Sequence, residues 1–468
     1  MNPSYIFVGA LTLGWLALLP RPKWYVRALF LTAPWMGLWV QAVWMVDPFK
    51  IGLILAPLLL ISAGRLRPMR GLATPLMLLA GYLCMLFAWQ LVSSEVSAMD
   101  DLQHLDANGR LAVATGMQLL RIAAAVVIIK FTATLEEAKR CADSYVLSVT
   151  ILSVYGLAQE TTFLLTGSPI TPMNLYGLFE GGGSWFTMNV FGIDFARLYA
   201  FCGEPKDFAL VLVPAIAYVY AAGRRRAVLG SRWWRQKIQL AVLITAALLT
   251  FSSSVLLLAP LLLLAVETAI NRNAIGGAMR RAFVVMPVIL ILLPAWGAFW
   301  TLRVTDRFRQ PEDLLQVSRE RPAAEFFLDH IPRVLLGYGV GTQALYLPAY
   351  MPAEYKYRML DYQGAAGVDS FWFTVLLDLG VPGALLYLWC LREALRSSRR
   401  AIRFTSPFRA ALVTLVIAGV ALSVELRSAV LWLFLALAYR VGQLTNEGSA
   451  MESVRIVPPQ APAAACTR

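Results

Sequence analysis

The chain has 468 residues, 59% of them hydrophobic and 15% charged, with a mean hydropathy of +0.63. Soluble domains carry about 25% charged residues, so this composition excludes an ordinary water-soluble fold. The net charge of +13 is not a nucleic-acid signal, because the basic residues fall between apolar runs, where the positive-inside rule puts them.

Apolar runs suited to a bilayer recur at 4–20, 24–46, 50–63, 71–92, 112–132, 144–166, 206–222, 239–252, 254–270, 282–301, 371–391, 410–424 and 428–440. The expected fold is all-α, a polytopic integral membrane bundle of about twelve or thirteen spans, since roughly 20 apolar residues cross the hydrocarbon layer. The first run has no basic flank and no small-residue cleavage site, so it reads as a retained span. Residues 1–440 form the expected bundle, and the proline-bearing tail 441–468 reads as cytoplasmic and disordered.

The connecting loops alternate in charge. Arg65, Arg67 and Arg70, then Lys130, Lys139 and Arg140, mark one side. The acid-free run Arg224, Arg225, Arg226, Arg232, Arg235 and Lys237 marks it again, as do Arg392, Arg396, Arg399, Arg400, Arg403 and Arg409. Loop 93–111 instead holds Glu95, Asp100, Asp101 and Asp106 against Arg110, and loop 302–370 has eight basic and nine acidic residues. Loops 93–111, 167–205 and 302–370 are therefore expected outside, and 223–238 and 392–409 inside. The acids and His104 of loop 93–111 suit a divalent metal by residue type, but nothing in their spacing fixes a coordination geometry. The five cysteines lack metal or redox spacing.

Loop 302–370 contains "SRERPAAEFFLDHIPRVLLGYGVGT". Ala324, Phe327, Leu328 and Ile331 repeat at helical spacing, which predicts an amphipathic helix beginning near Pro322 and stopped by Pro332. On its other side Arg321 and Glu325 stand one turn apart. Three glycines follow, Gly337, Gly339 and Gly341, as a tight backbone turn requires. This segment carries Arg319, Arg321, Arg333 and His330, one of only two histidines.

"HIPRVLLGYGVGT", followed by "DSFWFTVLLDLGVPGALLYL", resembles the O-antigen ligase and Wzy-type polysaccharide polymerase family. "ARLYAFCGEPKDFALVLVP" resembles that family's arginine ahead of a proline-opened helix, and "LTFSSSVLLLAPLLLL" its break between paired spans. The resemblance covers roughly residues 190–392. Two departures stand out: Ser252, Ser253 and Ser254 are not followed by arginine, and Asp369–Ser370 stands where ligases carry histidine. Both weaken the ligase reading and leave the polymerase reading open.

The resemblance implies a multi-pass protein of the bacterial inner membrane. It implies transfer of an undecaprenyl-diphosphate-linked glycan to a hydroxyl of an acceptor glycan or glycolipid, at the periplasmic face, with no metal or cofactor. A chain-length regulator is an implied partner; nucleic acid is not. A ligase acting on the lipid A core is the alternative, and a lipid-linked-sugar transporter the second. Against a transporter, no internal repeat with matched broken helices is evident.

Each residue also has a plainer role open to it. Arg197, Arg319, Arg321 and Arg333 suit diphosphate recognition by their forked donors, or could reach lipid headgroups. His330 suits proton transfer near neutral pH, or a helix-end contact with headgroups. Asp369 could be the base or cap the following helix, and Glu204 could touch acceptor sugar or complement a helix N-terminus. Arg121, inside a span beside Gln118, reads as one half of a buried pair with Asp378.

Overall fold

A helix that is apolar on every side must be surrounded by protein or lipid. In the computed structural model the last such run sits inside: every residue from Ser428 to Val441 is buried. The structure describes residues 3–35, 40–41, 45–62, 71–92, 107–167, 187–190, 193–198, 200, 202, 205–224, 233–250, 253–270, 320–342, 350, 371–399, 402–421 and 428–455.

In chain order the described helices are α1 (Pro3–Leu18), α2 (Pro22–Thr32), α3 (Pro48–Ser62), α4 (Ala73–Val92), α5 (Ala107–Phe131), α6 (Leu135–Thr166) and α7 (Pro205–Arg224). Then come α8 (Trp233–Leu249), α9 (Ser253–Ile270), α10 (Glu320–Asp329), α11 (Ile331–Leu336), α12 (Phe371–Arg399), α13 (Ile402–Ala421) and α14 (Ala429–Arg455). Two short antiparallel hairpins complete them, β1 (Val40–Gln41) with β2 (Met45–Val46), and β3 (Thr187–Val190) with β4 (Ile193–Ala196). Among the described residues, five helices are long and apolar enough to cross a bilayer: 73–92, 111–131, 135–166, 207–224 and 374–399. The protein is an all-α membrane bundle.

The core gathers on α14, which packs against α5, α6, α12 and α13. Alanine and glycine on its faces let helices come close: a Cβ on Gly442 would stand 2.4 Å from the backbone of Ser397 on α12. The buried Arg440 Nε donates to the Thr132 carbonyl at 2.9 Å, just past the end of α5. That places a cation on helix-terminal carbonyls, where it complements the dipole.

The bundle has two distinct ends. Thr132, Ser397 and Tyr439 meet at one, where the arginine-rich segments 224–237 and 392–409 also leave the helices. Lys23 pairs with Glu137 there. Loops 93–111 and 302–370 leave from the other end, where α4 finishes, α5 begins and α12 starts. An impermeant maleimide should therefore label single cysteines placed in 93–111 or 302–370 in intact cells. Cysteines in 223–238 or 392–409 should label only after permeabilisation. The reverse pattern would overturn the orientation.

Three boundaries differ from the sequence expectation. Run 24–46 is not one span: α2 ends at Thr32, because Pro34 cannot continue its hydrogen-bond ladder, and the β1–β2 hairpin follows. The segment expected as a disordered tail begins as helix, since α14 continues to Arg455 with no proline before Pro458. Arg440 Nη1 ties that extension to Gln443 and Glu447, each at 3.2 Å. Pro332 does end α10, at Asp329, but it also opens α11 as an early helical residue, where its missing N–H costs nothing. Runs 282–301 and the metal-suited acids of loop 93–111 lie outside the described residues.

Candidate functional site

The glycine turn is built into a broken helix. α12 is interrupted at Gly380, whose φ of 63° and ψ of −171° leave the helical region, and Pro382 follows. Pro382 has no N–H to give the Asp378 carbonyl four residues earlier. The break frees the Leu377 carbonyl as well. Buried carbonyls at membrane depth must find donors elsewhere in the protein. The turn supplies them: Tyr338 N–H donates to Leu377 at 2.7 Å, and Gly339 N–H to Asp378 at 2.9 Å. Gly341 N–H adds a bond to the Asp378 carboxylate at 3.3 Å.

This docking demands glycine at two crossing points. A Cβ on Gly337 would lie 2.5 Å from Gly380 N, and one on Gly380 would lie 2.4 Å from the Leu336 carbonyl carbon. Helix α4 pins the turn from the side. The Tyr82 hydroxyl donates to Leu336 O, and Gln90 Nε2 donates to Tyr338 O. The break stands nine residues into α12, roughly 14 Å of helical rise from its start. The turn thus reaches into the bundle from the 302–370 end.

Two sequence-predicted residues ride on this platform. Arg333, on α11, lies between two rings, with Cζ 5.3 Å from the Trp89 centroid and 5.2 Å from that of Tyr338. Its Nε and Nη2 are buried without a hydrogen-bond partner. Cation–π contact holds such a guanidinium in place but does not satisfy in-plane N–H donors. Trp89 and Tyr338 hold the group by its rings, and its Nε–Nη2 edge, buried and without a partner in the protein, has the fork geometry that suits a carboxylate or phosphate.

His330 is the junction residue between α10 and α11. Its ring stacks on Phe326 at 4.6 Å, with Tyr338 and Tyr350 set edge-on. Nδ1 stands 3.2 Å from the Phe326 carbonyl and 3.4 Å from the Tyr350 hydroxyl. A carbonyl only accepts, so in the tautomer that bonds to it the proton is on Nδ1 and the Nε2 lone pair can accept another. Burial, then the Asp329 carboxylate bonded to it, raises the Tyr350 phenol above its ordinary value. Tyr350 therefore stays a neutral hydroxyl between Asp329 and His330.

Arg197 belongs to a different junction. It follows β4, and its Nε donates to the Thr250 carbonyl at 3.3 Å, at the C-terminal end of α8. Leu198 N–H donates to Leu249 O beside it. The site is the predicted break between α8 and α9, with Arg197 serving at least as a cation on the α8 terminus. None of the contacts of His330 or Arg333 among the described residues is with Arg197. Arg321 lies on α10, as predicted for the amphipathic helix, while Arg319, Glu204 and Asp369 lie outside the described residues. Arg121 Nη1 donates to Gln118 Oε1 at 3.0 Å, and Asp378 receives Gly341.

Sequence reasoning missed Trp89, Gln90, Tyr338 and Tyr350, which hold the two predicted residues. The aromatic residues carry no periodic signal, and Trp89–Gln90 lies more than 200 residues away from the turn it supports. No protein-family model matches the chain, and a comparison by sequence with curated proteins gives no match either.

Proposed function

We propose that this protein is a membrane glycan polymerase of the bacterial inner membrane, working at the periplasmic face. It transfers an undecaprenyl-diphosphate-linked oligosaccharide to a sugar hydroxyl of an acceptor chain, in exopolysaccharide or O-antigen synthesis. The observation that carries the reading is the pairing, beside one clamped turn, of Arg333, whose Nε and Nη2 have no partner in the protein, with His330, whose Nδ1 faces the Phe326 carbonyl and leaves Nε2 for a proton.

In this reading the acceptor hydroxyl attacks the anomeric carbon, and the C–O bond to the diphosphate breaks. The leaving oxygen takes the electron pair, and the Arg333 fork stabilises the charge that develops there. His330 Nε2 takes the hydroxyl proton, with the Phe326 carbonyl and Tyr350 holding the ring. The exposed apolar side chains Leu328, Ile331, Leu335 and Leu336 put the outer face of α10 and α11 against lipid, beside the donor's polyprenyl tail.

His330→Gln tests the base directly. A positioned base contributes about 10²–10⁴-fold, so the variant should lose transfer by that factor at matched protein level. Purified protein in nanodiscs, with the lipid-linked oligosaccharide of the source membranes as donor, gives the rate. Wild-type rate in His330→Gln would remove His330 from the reaction. No polymer from the wild-type protein under any donor would reject the function itself.

A further inference from the structure

We infer that Asp329, acting through the Tyr350 hydroxyl, is a positioning residue for His330: it fixes the ring tautomer that leaves Nε2 open. The Tyr350 hydroxyl stands 3.4 Å from His330 Nδ1, and the two rings meet edge-on at 6.3 Å. The same hydroxyl is hydrogen-bonded to the Asp329 carboxylate. Phe326 lies flat against His330 at 4.6 Å and edge-on to Tyr350 at 5.5 Å, so one buried ring sets the place of both.

A phenol has one hydrogen to give, and a carboxylate only accepts. The Tyr350 hydrogen therefore points to Asp329, and its oxygen is left to accept from His330. The other neighbour of Nδ1, the Phe326 carbonyl at 3.2 Å, only accepts as well. With an acceptor at each contact, Nδ1 must bring the proton. Without the Asp329 charge, the phenol is free to turn and donate to Nδ1, which moves the ring proton to Nε2 and blocks the base. This is the logic by which a third group orients a base toward its substrate. When Nε2 takes the acceptor proton, the ring becomes an imidazolium and Nδ1 keeps its own proton. No proton passes to Tyr350; the Asp329 charge offsets the new cation, and Nε2 gives its proton to water as product leaves. Glu325, one turn before Asp329 on α10, adds a second negative charge on the Tyr350 side, and Arg333 follows on α11. Asp329 is the last residue of α10, where a carboxylate opposes the helix dipole, so the helix itself gains nothing from it. The inference rests on the proposed reaction for its effect on rate, not for the tautomer.

The chain has two histidines, so a His104→Gln protein labelled with heavy nitrogen at histidine Nδ1 reports His330 alone. In nanodiscs and alkaline buffer, where imidazole is neutral, nitrogen NMR should show a protonated Nδ1. Asp329→Asn should move that signal toward the unprotonated position. Adding Tyr350→Phe should move it back, because the turned phenol is then gone and the Phe326 carbonyl remains. In transfer assays Asp329→Asn should lower kcat about tenfold or more, the loss expected for a hydrogen bond to a charged group, with donor KM changed far less. Its thermal midpoint should hold or rise. The double variant should transfer no more slowly than Asp329→Asn, since both changes cut one chain. An unprotonated Nδ1 before the Asp329 change, an unmoved signal in Asp329→Asn, or an unchanged kcat there would each overturn the inference. A lowered midpoint with kcat and KM both impaired would make Asp329 structural and overturn it too. The signal moving as expected in a protein that transfers nothing would leave the tautomer control standing and reject the transferase.

Discussion

Replacing Gly337 or Gly380 by alanine is expected to abolish transfer while the bundle still inserts and folds. The two glycines cross backbone to backbone, with an added Cβ meeting main-chain atoms at 2.4–2.5 Å from either side. Main chain cannot rotate away as a side chain can. Both also hold positive φ, 87° and 63°, so alanine adds conformational strain to the clash. Overpacking costs about 1–3 kcal/mol and strained backbone about 1–3 kcal/mol more. Together these exceed the net worth, about 0.5–1.5 kcal/mol each, of the two bonds from Tyr338 and Gly339 to the freed carbonyls of α12. The turn should undock and take His330 and Arg333 with it. Gly339 is a graded control: its φ is 96°, but its nearest neighbours are side chains at 3.7 Å and beyond, so only the strain applies. Gly116, with nothing within 4 Å, should accept alanine at no cost, since alanine is the better helix former by about 1 kcal/mol. Transfer rates and thermal midpoints across the four variants should follow that order. Equal behaviour of Gly337→Ala and Gly116→Ala would show that the crossing does not matter.

Arg333→Ala is expected to lower transfer about a hundredfold or more, with little loss of stability. Deleting one preorganised donor to a developing anion costs about 2.7–4 kcal/mol in the transition state. The folded state loses much less, about 0.5–2 kcal/mol of cation–π contact, because Nε and Nη2 make no hydrogen bond within the protein. Arg333→Lys should recover part of the rate, since an ammonium keeps the charge but not the fork. Trp89→Ala should resemble a partial Arg333 defect, because it removes one of the two faces that hold the guanidinium. Initial rates with lipid-linked donor, read against thermal midpoints, separate these effects. A near-normal rate in Arg333→Ala would assign the arginine to packing.

The sequence by itself determined the class of the molecule. Hydropathy marked the apolar helices because a bilayer leaves the backbone few alternatives to helix, and charge divided the loops into a basic set and an acidic set. It also singled out the segment of the site, since an amphipathic repeat, a lone histidine, arginines and three spaced glycines are all local signals. The position of Pro332 gave a boundary but not its meaning, because proline both ends one helix and opens the next. Only the tertiary structure decided what the glycines are for. Gly380 and Pro382 break α12, and a turn from more than 35 residues away donates into the carbonyls that the break frees. Likewise Arg333 becomes a candidate anion site, and not one more loop arginine, because Trp89 and Tyr338 hold it while its buried Nε and Nη2 have no partner in the protein. Local pattern fixes where helices form, but burial and long-range donors, which no local pattern encodes, fix which polar groups remain for chemistry.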